Sequence, residues 1–117
     1  MTNYKPGLHI LSTFSCTTEK LMDHVFCKRV FDGIINELSL QKVGEVYHPF
    51  PEGGYTAVVC LTESHVSIHT WPEFQLATFD VFLSNFEKDN TDKVHEFFNK
   101  TIGSFNASAI SQQEIYR

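Results

Sequence analysis

Residues 61–73, LTESHVSIHTWPE, hold two histidines, two glutamates, two serines and a tryptophan within thirteen positions. Apolar and polar residues alternate through much of the segment, as they do in a strand with one buried face. An ordinary solvent-facing strand has no need of so many side chains that can carry a proton. Their density around Ser64 therefore indicates a site that performs chemistry.

A metal site is the first chemistry to consider. His65 and His69 are four residues apart, which on a helix would place both imidazoles on one face. Val66, Ile68 and Pro72 disfavour a helix in this segment. On a strand the two histidines also share a face, but no third His, Cys or acid stands at a recognisable metal-site spacing. We therefore expect no metal here.

A serine–histidine hydrolase is the second possibility, with Ser64 or Ser67 as the nucleophile and His69 as its base. Neither serine lies in a Gly-x-Ser-x-Gly elbow. On a straight strand, Ser64 and His69 would also point to opposite faces, because side chains alternate. A bulge, a turn or a chain break after Ser64 would be needed to bring them together.

The composition excludes several classes of function. With 117 residues, 42% of them hydrophobic, the chain is long enough for one domain with a real core. A formal net charge of −5 argues against a nucleic-acid partner. The only adjacent basic pair is Lys28-Arg29, so a basic membrane-binding patch is not expected. Cys16, Cys27 and Cys60 form no CxxC motif, which predicts reduced thiols in a cytoplasmic protein. The N-terminus has no apolar stretch long enough for a signal peptide, which agrees with that location.

The periodicity of the remaining chain predicts the elements that must position these residues. Strand-like runs occupy residues 7–15, 43–50, 55–61, 65–70 and 74–83, with a last edge strand at 105–110. Apolar residues at intervals of three and four predict two helices, one capped by Thr17 or Thr18 and ending near Leu38, and one from Asn90 or Thr91 to Gly103. The tail, residues 112–117, is predicted to be loose.

These elements predict an α+β fold, a two-layer sandwich in which an antiparallel sheet carries two helices on one face. The other face of such a sheet needs cover, which predicts a homodimer.

The string from Thr62 to Glu73 resembles the processing site of S-adenosylmethionine decarboxylase proenzymes of the small bacterial and archaeal type. The flanks agree with this resemblance, both in the aromatic-proline-glycine stretch at residues 50–54 and in Asp80-Val81-Phe82. The resemblance covers residues 7 to 102, and its ESHxSIHTWPE string is highly specific.

The resemblance implies that the chain cleaves itself between Glu63 and Ser64, giving chains of residues 1–63 and 64–117. The Ser64 hydroxyl would attack the Glu63 carbonyl to form an ester, and elimination would leave a dehydroalanine that hydrolyses to a pyruvoyl group. This group would form a Schiff base with the substrate amine and act as an electron sink in place of a bound cofactor.

The resemblance also implies roles for individual side chains. His69 would be the base for the elimination, and the Thr56 hydroxyl would help the ester to form. Phe50 would stack on the adenine of the substrate, and Glu73 would hold its ribose hydroxyls.

The chain departs from the family pattern at several positions. Ser84 stands where the family has the cysteine that reprotonates the product, and Asn85 follows it where glycine is usual. Residues 12–15 contain no acid, and Phe-Gln-Leu at 74–76 replaces a common Tyr-Gly-Tyr. An alcohol is a much weaker acid than a thiol, so either Ser84 relays a proton from water, or another group such as His69 donates it, or turnover is poor.

Three functions follow from these observations. The leading prediction is S-adenosylmethionine decarboxylase, supplying aminopropyl groups for spermidine synthesis. The second is a pyruvoyl-dependent decarboxylase of ornithine or arginine. The third is an uncut, non-catalytic regulatory homologue, against which the retention of Glu63, Ser64, Thr56 and His69 argues.

Overall fold

The computed structural model describes residues 4–86 and 88–117. It contains three α-helices: α1 Thr18–Met22, α2 His24–Glu37 and α3 Thr91–Phe105. It contains six strands: β1 Leu8–Ser15, β2 Lys42–Pro49, β3 Tyr55–Leu61, β4 Ser64–Trp71, β5 Leu76–Leu83 and β6 Ser108–Tyr116. A 3-10 turn, Pro72–Phe74, separates β4 from β5.

The six strands form one antiparallel sheet in the order β2-β3-β4-β5-β1-β6. Strands β2 to β5 follow one another as a meander, and β1 lies between β5 and β6. The predicted antiparallel sheet is therefore confirmed. In the described part of the chain, no helix has both the length and the apolar character required to cross a membrane.

Alternation along the strands places the core between the sheet and the helices. Phe79 of β5 is fully buried, and its ring lies 5.8 Å from that of Phe31 in α2 and 6.4 Å from that of Phe97 in α3. Strand β5 itself and its neighbours β4 and β3 contribute further buried alternate positions: Ala77, Val81, Val66, Ile68, Ala57 and Val59. The α+β two-layer architecture is thus confirmed, with the apolar stripe of α2 packed on one face of the sheet.

The first predicted helix is in fact two helices that meet at Asp23. The backbone of Asp23 leaves the helical region (φ −105°, ψ 86°), and its carboxylate accepts a 2.9 Å hydrogen bond from the Phe26 N–H. This is an N-cap for α2. On either side of this break, the apolar side chains of Met22 and Val25 are 50% and 53% exposed to solvent, although both belong to the apolar repeat that predicted the helix.

The C-terminus was predicted only in part, since the expected edge strand is present but runs from Ser108 to Tyr116. Residues 112–117 are not loose: β6 pairs with β1 almost to the end, and the chain closes with reciprocal bonds between Gly7 and Arg117 of 2.9 and 3.0 Å. Phe105 belongs to α3, which ends at Asn106 in a left-handed conformation (φ 50°) rather than at Gly103. Every residue of β6 is exposed, so its order comes from backbone hydrogen bonds that a hydrophobic pattern does not show.

Candidate active site

The predicted site residues lie at the two ends of β4. His65, Ser67 and His69 alternate with the buried Val66 and Ile68 and therefore point away from the helices. We call this helix-free side of the sheet the open face, since no helix of residues 4–86 and 88–117 packs on it.

Ser64 stands at the first end of β4, directly after a two-residue turn. Its partners in the sheet are Leu61 on β3 and Leu83 on β5. The backbone of Ser64 has φ +142°, a region that residues with a side chain rarely occupy and that costs on the order of 1–3 kcal/mol. Strain is therefore stored at the residue whose peptide bond is predicted to break.

The carbonyl of Glu63 is held from the neighbouring strand end. The backbone N–H of Ser84 donates a 2.7 Å hydrogen bond to the Glu63 carbonyl oxygen. A donor fixed in this way stabilises negative charge if a nucleophile adds to the carbonyl. Glu63 and Ser84 line a cavity of about 230 Å³ together with Thr62 and Asn90. We call this group the cleavage end.

Thr56 and His69 mark the other end of β4. The two residues are directly opposed in the register of β3 and β4, and the Thr56 Oγ1 lies 3.1 Å from the His69 Nδ1. If the hydroxyl accepts from Nδ1–H, the lone pair of the imidazole is at Nε2 and is free to accept a proton.

A cavity of about 390 Å³ joins this pair to the predicted substrate-binding residues. Phe50 and Glu73 line the cavity with Thr56 and His69, so the four predicted residues are brought together. We call this group the imidazole end. Glu52 and Trp71 line the same cavity and were not assigned a role from the sequence, although both lie in the segments that carry the resemblance.

A glycine turn and a buried hydroxyl shape this cavity. Gly53 and Gly54 have positive φ (105° and 87°), and a side chain on Gly54 would meet Pro72 at 2.9 Å. The buried Thr70 hydroxyl accepts from the Tyr55 N–H at 2.9 Å and donates to the Leu21 carbonyl at 2.8 Å. The glycine turn is thereby tied to β4 and α1.

The cleavage end and the imidazole end are far apart within one chain. Strand β4 is in unbroken register with both neighbours from Ser64 onward, so no bulge shortens it. Five residues of extended strand at about 3.3 Å each put roughly 16 Å between Ser64 and His69. One chain therefore does not bring its own Ser64 and His69 together.

A third group of polar residues lies on the open face, and the sequence did not predict that they would be neighbours. His9 on β1 is only 6% exposed, and its Nε2 lies 3.7 Å from the Asp80 carboxylate, beyond hydrogen-bond length. Arg117 approaches its Nδ1 at 3.4 Å, and the His65 ring centre is 6.2 Å away. Burial lowers the pKa of His9, Arg117 and His65 add to the lowering, and Asp80 opposes it. Only the strand register, which the sequence does not give, brings these residues together.

Among the residues that the structure describes, no three His, Cys, Asp or Glu side chains are grouped closely enough to hold a metal ion. Cys16, Cys27 and Cys60 are all free thiols.

Comparison with known proteins gives a consistent result. The family model described as S-adenosylmethionine decarboxylase matches residues 8–117. A protein named S-adenosylmethionine decarboxylase proenzyme from a Sulfurihydrogenibium species is 38% identical over 97 residues, covering 82% of this chain and 72% of that protein. One of the same name from Archaeoglobus fulgidus is 34% identical over 100 residues, covering 85% of this chain and 86% of the relative. The crystal structure of the adenosylmethionine decarboxylase from Aquifex aeolicus superposes with a TM-score of 0.85 at 31% identity, covering 98% of this chain and 92% of that one.

Proposed function

Because the chain belongs to the S-adenosylmethionine decarboxylase family, we propose that it is a proenzyme that cuts itself between Glu63 and Ser64 and then decarboxylates S-adenosylmethionine as a pyruvoyl-dependent lyase. The observation that carries the proposal is the geometry of the Glu63–Ser64 peptide: a strained Ser64 follows a carbonyl already held by the Ser84 N–H.

The first step uses groups of the cleavage end. The Ser64 Oγ adds to the Glu63 carbonyl carbon, the C–N bond breaks, and the proton of the hydroxyl passes to the freed Ser64 nitrogen, leaving an ester. The Ser84 N–H stabilises the oxyanion that forms on the way. Opening the peptide releases the strain at Ser64.

The second step needs a base at the Ser64 α-carbon. Because the chain's own His69 is out of reach, His69 of a second protomer takes the α-proton, the Cβ–Oγ bond breaks, and residues 1–63 leave with a free carboxylate. Water then releases ammonia from the dehydroalanine and leaves a pyruvoyl group on the chain of residues 64–117. That group supplies the electron-withdrawing carbonyl for decarboxylation.

The separation of Ser64 from His69 supports a homodimer with shared sites. A two-fold axis that lies between two such open faces and runs perpendicular to β4 sets each end of β4 against the opposite end of its partner. The cleavage end of one protomer then meets the imidazole end of the other. Such a pairing also covers the sheet face that the helices leave bare.

The cavity at the imidazole end suits a cationic nucleoside. Phe50 and Trp71, 43% and 42% exposed, offer aromatic faces to an adenine ring and to a sulfonium charge. Glu52 and Glu73 offer carboxylates that accept hydrogen bonds from ribose hydroxyls. A small amino acid such as ornithine or arginine has no ring for these aromatic walls, so we rank it second. Ser84, at the cleavage end, would pass a proton to the product carbon.

Carbon dioxide release from S-adenosylmethionine, ornithine and arginine tests the substrate. We expect release from S-adenosylmethionine only, and loss of all activity in Ser64→Ala. Release only from ornithine or arginine would overturn the substrate assignment. A fully active Ser64→Ala would overturn the mechanism.

A further inference from the structure

Asn90 holds the residue that carries the oxyanion donor. It precedes α3, is 1% exposed, and its side-chain Nδ2 donates a 2.8 Å hydrogen bond to the Ser84 carbonyl. Its backbone N–H donates in turn to the Asn85 Oδ1 at 2.7 Å, and the Asn85 Nδ2 donates to the Pro6 carbonyl at 3.1 Å. The segment after β5 is thus tied to the start of α3 and to the chain before β1.

The N-terminal side of Ser84 is fixed by close packing against Gly7. The backbone of Gly7 passes so near that a Cβ there would collide with the Leu83 carbonyl oxygen and approach the Ser84 Cα to 3.0 Å. Gly7 and Asn90 therefore confine Ser84 from its two ends. The direction of the Ser84 N–H toward Glu63 follows from that confinement.

Within the described part of the chain, the side-chain amide of Asn90 is hydrogen-bonded at its nitrogen but not at its oxygen. The Asn90 Oδ1 is buried without a hydrogen-bond partner among the described residues, and an unsatisfied buried acceptor is destabilising. An apolar side chain of similar size would avoid that cost. What it would lose is the donor on the Ser84 carbonyl.

We propose that Asn90 is a positioning residue for self-cleavage, holding Ser84 so that its N–H remains on the Glu63 carbonyl as negative charge develops. The inference rests on the proposed function. Removing one oxyanion donor outright slows acyl transfer by about 10²–10³. Loosening the donor rather than removing it is expected to slow cleavage by about tenfold or more.

The test compares the rate at which freshly made chains are cut, followed by intact mass. Asn90→Leu removes the donor at similar volume, and Val94→Ala is the matched control, since Val94 is a fully buried residue in the first turn of α3, the helix that Asn90 precedes. Melting temperatures are measured for both in a Ser64→Ala background, in which no cleavage can occur.

We expect Asn90→Leu to be cut at least about tenfold more slowly than the wild type, and Val94→Ala to be cut at a near-normal rate. The inference is overturned if Asn90→Leu is cut at the wild-type rate, or if Val94→Ala is slowed equally at the same loss of stability. Asn90→Ser decides by the same criteria if Asn90→Leu does not fold. A wild-type chain that stays uncut would refute the proposed function instead.

Discussion

The Oγ1 of Thr56 lies 3.1 Å from the Nδ1 of His69, across directly opposed positions of β3 and β4. The contact sets which imidazole nitrogen is left to act as a base. It also places that base at the far end of β4 from the bond to be cut.

Thr56→Val removes this contact while keeping the volume of the side chain. We expect self-cleavage to slow about tenfold, because a lost hydrogen bond of about 1.4 kcal/mol in the transition state has that effect. Thr56→Ser keeps the hydroxyl and should be cut at nearly the wild-type rate. Intact mass against time measures both, and equal rates for the two variants would remove Thr56 from the mechanism.

Sharing of sites between protomers is tested by mixing two inactive chains. Ser64→Ala has no nucleophile and His69→Ala has no base, so each alone should stay uncut. When both are produced together with different tags, the His69→Ala chain should be cut in mixed dimers, since its partner supplies His69. If no cut chain appeared although mixed dimers were isolated, the shared site would be excluded.

Ser84→Cys restores a stronger acid at the cleavage end. A thiol has a pKa of about 8.5, far below that of an alcohol, and general acids contribute on the order of 10²–10⁴ in rate. We expect kcat for S-adenosylmethionine to rise about tenfold or more. Ser104→Cys, on the exposed end of α3, controls for an added thiol. An unchanged kcat would show that reprotonation does not limit turnover.

His9 should make the fold sensitive to mild acid. Its pKa is lowered in the folded chain, chiefly by burial, whereas an unfolded histidine titrates near pH 6.5. As the pH falls below about 6.5, the unfolded chain binds a proton that the folded chain resists, so the free energy of unfolding decreases.

Urea unfolding at pH 7 and pH 5 in a Ser64→Ala background measures this effect. The decrease should be smaller in a His9→Gln chain, and His48→Gln, at an exposed position, should behave like the parent. A decrease of equal size in all three chains would assign the acid sensitivity to other groups.

Much of this fold could be predicted because burial follows the periodicity of the sequence. Strand β3 was predicted to the residue, since Tyr55, Ala57 and Val59 alternate with less buried positions. The bounds of strand β6 could not be predicted in this way, because all its side chains are exposed and only its backbone pairs with β1. The break at Asp23 depends on a capping hydrogen bond that competes with a continuous apolar stripe.

The candidate site was predictable in its residues but not in its arrangement. The resemblance brought in Ser64 and His69 from the string at residues 62–73 and Thr56 from outside it, and Thr56 and His69 do lie together. The distance between Ser64 and His69 depends on whether β4 is straight, which spacing in the sequence does not reveal. The contact of Ser84 with Glu63 runs between two backbones, so the identity of residue 84 gave no sign of it.

The central claim is that the bond between Glu63 and Ser64 breaks by itself. Intact mass spectrometry of the purified wild-type chain tests this directly. We expect two species, one of residues 1–63 and one of residues 64–117 that begins with a pyruvoyl group, and a single full-length species in Ser64→Ala. A wild-type chain that keeps its full mass, with an ordinary amide at this position, would contradict the account.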